Sequence, residues 1–196
     1  MKKAHKGRSF EPVAKTPGCR VDPPQEAFGC PGRGTMHVLV DGSNVAQGLP
    51  SLRRVWRQDR DRARDLLVSM AREIHDGWSW QVTVVFDGRG SEIACSYPWG
   101  VDTFAVIFSP SNLTADAVIE RMGLRSADPS RIAVVSADHM ILDSLRAAGA
   151  QTVSPQVFEE WVESCRRSIR EKSDRRDHSS AGAFENRLDI PFHPES

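Results

Sequence analysis

Cysteine patterns that bind metal or form disulfides are missing from this sequence. Its four cysteines lie far apart, at positions 19, 30, 95 and 165, and no two of them form a Cys-x-x-Cys pair. That spacing argues against a zinc knuckle and against a disulfide framework. No apolar run approaches the roughly 18 residues that a membrane span requires. The charged N-terminus also lacks the apolar segment of a secretory signal, so we expect a cytoplasmic protein without membrane attachment.

The phosphate-binding and nucleophile motifs of common α/β enzymes are missing as well. Neither GxGxxG nor GxxxxGK[ST] occurs, which argues against a nucleotide cofactor. The absence of GxSxG argues against the usual α/β-hydrolase chemistry. The six histidines are scattered and do not show metal-ligand spacing. A catalytic site in this chain would therefore have to use other residue types.

Lysine is absent from the central part of the chain. Residues 36–162 carry twelve Arg, no Lys and sixteen Asp and Glu, a net charge of −4, whereas residues 1–35 carry a net charge of +4. The whole chain is neutral. A polyanionic partner would therefore have to meet local arginine clusters and the basic ends of the chain, because the surface as a whole does not attract it.

Composition and hydrophobic periodicity divide the chain into three parts. Residues 1–35 are rich in Pro, Gly and Lys and predict a disordered basic arm, because they hold too few aliphatic residues to form a core. Residues 36–172 alternate apolar runs with helical periodicity, which predicts right-handed βαβ units and a mostly parallel sheet. The periodicity is lost over residues 173–196, which predicts a flexible C-terminal tail.

The predicted elements follow one another with short connections. Strands are predicted at 36–40, 80–86, 103–108, 131–136 and 150–153, with a short extended piece at 92–96. Helices are predicted from Arg60 to His75, from Thr114 to Met122, over 139–148 and from Pro155 onward. Asp76-Gly77 is predicted to end the first of these helices, Thr114 to cap the start of the second, and Gly149 to cap the end of the third.

Acidic residues follow four of these strands. Asp41 closes the run HVLVD, Asp87 closes VTVVFD, and Asp138 follows IAVVSA, while Asp116 and Glu120 lie in TADAVIE after the strand FAVIF. The carboxyl ends of parallel strands share one edge of a sheet, so these side chains should converge. Crowded carboxylates repel one another unless a cation holds them. The sequence therefore predicts a divalent-metal site.

Each acidic residue also has an ordinary structural explanation. A strand that ends in Asp-Gly, as at 41 and 87, is a common turn. Asp116 and Glu120 are four residues apart, as on a solvated helix face. Asp138 could simply cap the helix that follows it. The recurrence of acids at four strand ends is what favours a joint site over these separate explanations.

Five segments, taken in order, resemble a YacP-like NYN domain of the PIN-like ribonuclease superfamily. They are HVLVDGSN, VTVVFDG, VIFSPSNLTADAVIE, IAVVSAD and Ala148-Gly149-Ala150, over roughly residues 36–165, and the tail FENRLDIP is similar to the family's C-terminal extension. The resemblance implies a three-layer α/β/α PIN-like domain with a mostly parallel central sheet. The family usually has Tyr where this chain has Ser43, and Thr-Ser-Asp where it has Ser136-Ala137-Asp138. Both departures leave the carboxylates in place.

The resemblance implies a cytoplasmic endoribonuclease that uses Mg²⁺ or Mn²⁺ and acts on RNA, including mRNA, with the ribosome as an associated partner. Asp41, Asp116 and Asp138 match the catalytic, metal-holding acids of the family, and Asp87 and Glu120 match its secondary acidic positions. The substrate-binding candidates are polar and basic residues: Asn44, Ser136, Arg53, Arg54, Arg57 and Arg89. Trp99, in a loop expected near the acidic edge, is the best candidate to stack on a base.

Two other functions stay open on the sequence alone. A non-catalytic RNA- or ribosome-binding module of the same fold fits the altered motif residues and the acidic domain. A phosphatase-like hydrolase with Asp41 as nucleophile would favour a second acid two residues later, where this chain has Ser43. The nuclease is favoured if the carboxylates of Asp41, Asp116 and Asp138 lie within reach of one ion. The binding module is favoured if these carboxylates point away from one another.

A chain that begins at Met36 is expected to keep the thermal midpoint of the full chain, because residues 1–35 carry little apolar surface. The deletion should also weaken binding to RNA at low salt, since it removes seven cationic residues. Calorimetry of the two chains checks the first expectation. A large fall in the midpoint would show instead that the arm packs on the domain.

Overall fold

The computed structural model describes residues 36–180, with side chains described as far as residue 171. The strands in this part of the chain are β1 (His37–Asp41), β2 (Gln81–Asp87), β3 (Ala94–Ser96), β4 (Phe104–Ser109), β5 (Ile132–Val135) and β6 (Gln151–Val153). The helices are α1 (Gly42–Gly48), α2 (Pro50–Gln58), α3 (Arg60–Trp78), α4 (Ala115–Leu124), α5 (His139–Ala147) and α6 (Pro155–Ser180). The predicted N-terminal arm and the end of the predicted tail lie outside the described residues.

One sheet holds all six of these strands, in the order β3-β4-β2-β1-β5-β6. Every neighbouring pair is parallel except β3 and β4, which are antiparallel. The predicted mostly parallel sheet is therefore confirmed. The chain leaves β1 toward β2 in one direction and leaves β5 toward β6 in the other, so the boundary between β1 and β5 is the topological switch point. Ligands of open α/β sheets bind at such a point, beyond the carboxyl ends of the strands.

Apolar side chains of the strands feed two cores, one on each face of the sheet. In β1, Val38 and Val40 belong to the core under α1, α2, α3 and α6, whereas Leu39 belongs to the core under α4 and α5. This alternation follows from the two-residue period of a strand. Burial of each such aliphatic side chain stabilises the fold by about 1.5–3 kcal/mol. The predicted three-layer α/β/α architecture is confirmed.

Helices α1 and α2 are absent from the sequence-based prediction. Helix α1 has only seven residues, whereas α2 carries Leu52, Val55 and Trp56 at helical spacing after Pro50, a signal that the sequence-based prediction missed. Helix α3 was predicted to end at Asp76-Gly77 but continues to Trp78. A Cβ on Gly77 would lie 2.8 Å from the Cβ and Sγ atoms of Cys165 in α6, so this glycine allows two helices to pack closely.

Helix α6 runs through Ser180 and thus past the predicted domain boundary at residue 172. The predicted helix caps agree with the structure. Thr114 accepts a hydrogen bond from the backbone N–H of Ala117 at the start of α4, and Gly149 has a φ of +99° after α5. Within residues 36–180, no helix is long and apolar enough to cross a membrane.

Candidate functional site

Asp41 lies at the switch point and is almost fully buried, with 2% of its surface exposed. It is the last residue of β1 and the N-cap of α1, where its Oδ1 accepts a hydrogen bond from the backbone N–H of Asn44 at 3.0 Å. Its Oδ2 accepts a hydrogen bond from the hydroxyl of Ser136, which follows β5, at 3.1 Å. Both carboxylate oxygens are therefore fixed by the two neighbouring strand ends.

Asp116 meets Asp41 from the first turn of α4. The carboxylate of Asp116 lies close enough to that of Asp41 to act on it electrostatically. Burial, and then the neighbouring Asp116 carboxylate, raises the pKa of Asp41 to about 7, although the Asn44 N–H and the Ser136 hydroxyl act in the opposite direction. A proton on Asp41, or a cation beside the two carboxylates, would offset the cost of burying this charge. We call Asp41 and Asp116 the acidic pair.

Asp138 does not join the acidic pair through its carboxylate. Its Oδ1 accepts a hydrogen bond from the backbone N–H of Met140 at 2.9 Å and caps α5, as the ordinary reading of this residue predicted. Its own backbone N–H donates to the Ser136 hydroxyl at 3.1 Å, so Ser136 links Asp138 to Asp41. Among residues 36–171, no three His, Cys, Asp or Glu side chains are grouped closely enough to hold a metal ion.

Asp87, from outside α4, and Glu120, which belongs to α4, hold this helix in position. The Oδ1 of Asp87, at the end of β2, accepts a hydrogen bond from the backbone N–H of Ala115 at 3.0 Å. Glu120 accepts a hydrogen bond from the hydroxyl of Ser144 in α5. These two acids therefore fix the start of α4 and its contact with α5, and so hold the helix that carries Asp116.

Asn44 and Ser136 hold the loops after β1 and β5 together. The Oδ1 of Asn44 accepts a hydrogen bond from the backbone N–H of Ala137 at 2.8 Å. Ser136 is completely buried and donates to Asp41. In this structure both side chains orient Asp41 and its neighbours, and their contact with a substrate stays a prediction.

Among the predicted arginine candidates, Arg53 makes hydrogen bonds within the domain, and the others are exposed surface residues. Arg53 donates from Nε to the carbonyl of Gln47 at 2.8 Å and from Nη2 to that of Gly48 at 3.3 Å, so its guanidinium caps the C-terminus of α1. Arg54 and Arg57 are exposed on α2 and line a shallow cleft of about 480 Å³ together with Arg53. Arg89 is exposed in the loop that follows β2.

A second cleft, of about 580 Å³, lies at the carboxyl edge of the sheet, and the sequence did not reveal it. We call it the arginine cleft; its lining includes Ser43, Trp56, Arg60, Arg64, Arg89 and Phe108. Arg60 and Arg64 fall on the polar face of α3, and that pattern is typical of solvent exposure. Only the packing of α3 against the ends of β2 and β4 brings them to this edge.

The predicted position of Trp99 is wrong. Its ring packs edge-on against Phe104, the first residue of β4, with centroids 5.2 Å apart, and the guanidinium of Arg72 lies 4.4 Å from its centroid. Trp99 therefore lies at the amino ends of the parallel strands. The reason is that β3 runs antiparallel to β4 and returns the chain to that edge.

The fold and the carboxylates at the switch point define a PIN-like α/β domain. Residues 38–191 match the YacP-like NYN domain family, and the chain belongs to that family, which is related to nucleases. The match reaches beyond the described residues and includes the FENRLDIP segment. None of the curated proteins matches this chain.

Two solved structures of Rae1 (YacP) from Bacillus subtilis are similar to this chain. One is 28% identical, with a TM-score of 0.58, and the similarity covers 74% of this chain and 83% of that one. The other, a tryptophan-to-leucine variant, is 25% identical, with a TM-score of 0.60 and coverage of 77% and 87%. These similarities confirm the fold and the predicted family.

Proposed function

We propose that this chain is an endoribonuclease that cleaves RNA phosphodiester bonds with Mg²⁺ or Mn²⁺ as cofactor. The observation that supports it is the acidic pair: two neighbouring carboxylates, one of them buried, at the switch point of an open α/β sheet. Neither carboxylate makes an ion pair in the described part of the chain. A buried acidic pair without a cationic partner is costly to the fold and is more often functional than structural.

The donor atoms of the acidic pair fit a hard divalent cation. Mg²⁺ and Mn²⁺ prefer oxygen ligands, and Mg²⁺ keeps several waters while binding one or two carboxylates. When bound, such an ion would lower the pKa of a coordinated water and offset charge on the scissile phosphate. Asp41 and Asp116 would hold it. Asp138 was predicted as a third ligand, but it caps α5 through its Oδ1 and is not grouped with the acidic pair in this structure.

The remaining residues of the site have positioning tasks in this proposal. Ser136 and Asn44 keep the carboxylate of Asp41 in one orientation through the contacts at 3.1 Å and 3.0 Å. Asp87 and Glu120 keep α4 in place and thereby set the distance between the two acids. The exposed arginines at 54, 57 and 89 are the candidates to contact the phosphates of RNA, because phosphate contacts dominate such binding.

RNA as substrate is consistent with the family and with the charge distribution. The similar structures are of a YacP protein. The domain has a negative net charge, but part of its surface is lined by several arginines. Action on mRNA, a ribosomal partner and a cytoplasmic location are part of the same proposal. The test is incubation of the purified protein with labelled single-stranded RNA, with Mn²⁺ and with a chelator. Cleavage in Mn²⁺ that the chelator abolishes is the expected result.

A non-catalytic RNA-binding module is the second candidate. The observation that favours it is the use of the Asp138 carboxylate as a helix cap, which leaves two carboxylates together where the family resemblance implies three. RNA binding that is unaffected by chelator, without cleavage in Mg²⁺ or Mn²⁺, would favour this module over the nuclease.

Mg²⁺ and Mn²⁺ are expected to raise the melting temperature of the protein. An ion that binds only the folded state adds about 2.7 kcal/mol of stability at roughly 100 times its Kd. For a chain of this size, that corresponds to a rise of about 5–10 °C. Ca²⁺ should also stabilise the protein but should support cleavage poorly, because its looser coordination positions water and phosphate less strictly. Thermal denaturation in a concentration series of each ion measures the effect.

Two variants show whether the ion binds at the acidic pair. Asp41→Asn should lose the stabilisation, because it removes one of the two ligands. Asp102→Asn, an exposed position just before β4 at the opposite edge, should keep it. A shift that persists unchanged in Asp41→Asn would place the ion elsewhere on this acidic domain.

A further inference from the structure

The arginine cleft carries an excess of cations within a domain of negative net charge. Its charged lining residues are three arginines and two aspartates: Arg60, Arg64, Arg89, Asp61 and Asp87. The domain around it, residues 36–162, has a net charge of −4. The cleft is thus a local exception, and a concave surface lined by excess positive charge attracts anions.

Arg64 is held in place before any ligand arrives. The carbon at the centre of its guanidinium lies 5.6 Å from the ring centroids of Phe86 and Phe108 and 5.9 Å from that of Trp56. Its Nη1 donates to Asp61 at 2.9 Å. Its Nε is buried and has no hydrogen-bond partner among the described residues. The side chain as a whole is 26% exposed, so a guanidinium ordered by these contacts can still bind an oxyanion from the cleft at a low cost in conformational entropy.

The lining of the arginine cleft is linked to both residues of the acidic pair. Ser43, in its lining, follows Asp41 by two residues. Asp87, also in its lining, accepts the hydrogen bond from Ala115, the residue before Asp116. A strand whose scissile phosphate lies at the acidic pair would therefore place a neighbouring part of its backbone at the cleft.

Trp56 does not offer a stacking surface in this cleft. Only 8% of it is exposed, and both Arg60 and Arg64 lie over its ring, at 5.6 and 5.9 Å from the centroid. The cationic groups in the lining are guanidinium donors, which match phosphate geometry. The chemistry favours the sugar-phosphate backbone over the bases.

We propose that the arginine cleft is a subsite for a backbone phosphate of single-stranded RNA that flanks the scissile phosphate, with Arg64 and Arg60 as its donors. The subsite rests on the proposed ribonuclease function, since it names how that site would hold its substrate. Because phosphate contacts carry no sequence information, it supplies affinity and register along the strand and leaves base preference unchanged.

The experiment measures binding of a labelled oligouridine to the full chain in EDTA, by fluorescence anisotropy over a salt series. Arg64→Gln and Arg60→Gln should each weaken binding about tenfold, as expected for loss of a charge-assisted contact. Each should also lower the slope of log K against log salt by about 0.7, the value for one phosphate contact on a single strand.

Arg131→Gln is the matched control. Arg131 pairs with the aspartate three residues before it, Asp128, as Arg64 pairs with Asp61, and the two arginine side chains are 35% and 26% exposed. Arg131 precedes β5 and thus lies at the opposite edge of the sheet. This variant should bind as the wild type does. Arg60 is exposed, so Arg60→Gln tests the cleft even if Arg64→Gln disturbs the packing of the rings.

The outcomes separate the subsite from the nuclease. The subsite would be overturned if Arg60→Gln and Arg64→Gln bind RNA as the wild type does. It would also be overturned if Arg131→Gln loses the same amount of RNA binding, or if the wild type does not bind RNA. Cleavage of RNA by the wild type together with unaltered binding by the cleft variants would overturn the subsite alone. Loss of binding in the cleft variants of a chain that does not cleave would support binding of the RNA backbone at the cleft and overturn the nuclease.

Discussion

Asp116→Asn is expected to abolish cleavage of RNA while the protein stays folded. The substitution removes one of the two carboxylates that would hold the ion, and we expect the rate to fall more than about 100-fold, since even outer-shell partners of a metal contribute 10- to 100-fold. Stability should be kept or should rise, because Asp116 and Asp41 repel each other when both are ionised. Single-turnover cleavage of labelled RNA in Mn²⁺, alongside a thermal melt, measures both quantities.

Asp102→Asn is again the control, since it removes an equal charge from an exposed position at the other edge of the sheet. It should cleave at the wild-type rate. If Asp116→Asn also cleaves at that rate, Asp116 does not hold the ion and the assignment of the acidic pair fails. If Asp116→Asn is unfolded, the melt shows it directly, and Asp41→Asn then carries the test.

Asp41→Asn is expected to stabilise the metal-free protein above neutral pH and to leave it unchanged near pH 4. The pKa of Asp41 is about 7 in the folded protein against 3.8 for an ordinary aspartate, so between these values the folded state binds more protons than the unfolded state. The contribution of Asp41 to the free energy of unfolding is fully present below about pH 4 and is lost as the pH rises to about 7. The loss is on the order of 4 kcal/mol.

His37 requires that this effect be measured as a difference between two proteins. Burial lowers the pKa of His37 from 6.5 to about 4, so its contribution to stability is complete above about pH 6.5 and is lost as the pH falls to about 4. That trend opposes the one from Asp41 in the wild type. Both proteins contain His37, so subtracting one free energy of unfolding from the other isolates Asp41.

Denaturant unfolding of wild type and Asp41→Asn in EDTA at several pH values provides the measurement. The advantage of the variant should grow from near zero at pH 4 to its full size at pH 8. An advantage that does not change with pH would mean that Asp41 has an ordinary pKa in the folded protein and that the two carboxylates are not in contact.

The elements that the sequence predicted well are those in which local pattern and tertiary burial agree. Strands β1, β2, β4 and β5 are short apolar runs because they are buried on both faces, and α3 has a clear apolar stripe because one face packs on the sheet. Helix α1 was missed because it is short, whereas α2 has an apolar stripe of Leu52, Val55 and Trp56 that could have revealed it. Gly77 looked like a helix end, although it is the close contact with Cys165 in α6 that requires a glycine there.

The sequence by itself determined the parallel α/β class, the family and the acids at the strand ends, because strand period, turn residues and motif order are all local properties of the chain. The tertiary structure decided which of those acids meet: α4 carries Asp116 to Asp41, while Asp138 caps its own helix. It also placed Arg64 among aromatic rings from α2, β2 and β4. Such contacts join residues far apart in the chain, and their geometry depends on helix packing and strand order, which no local pattern contains.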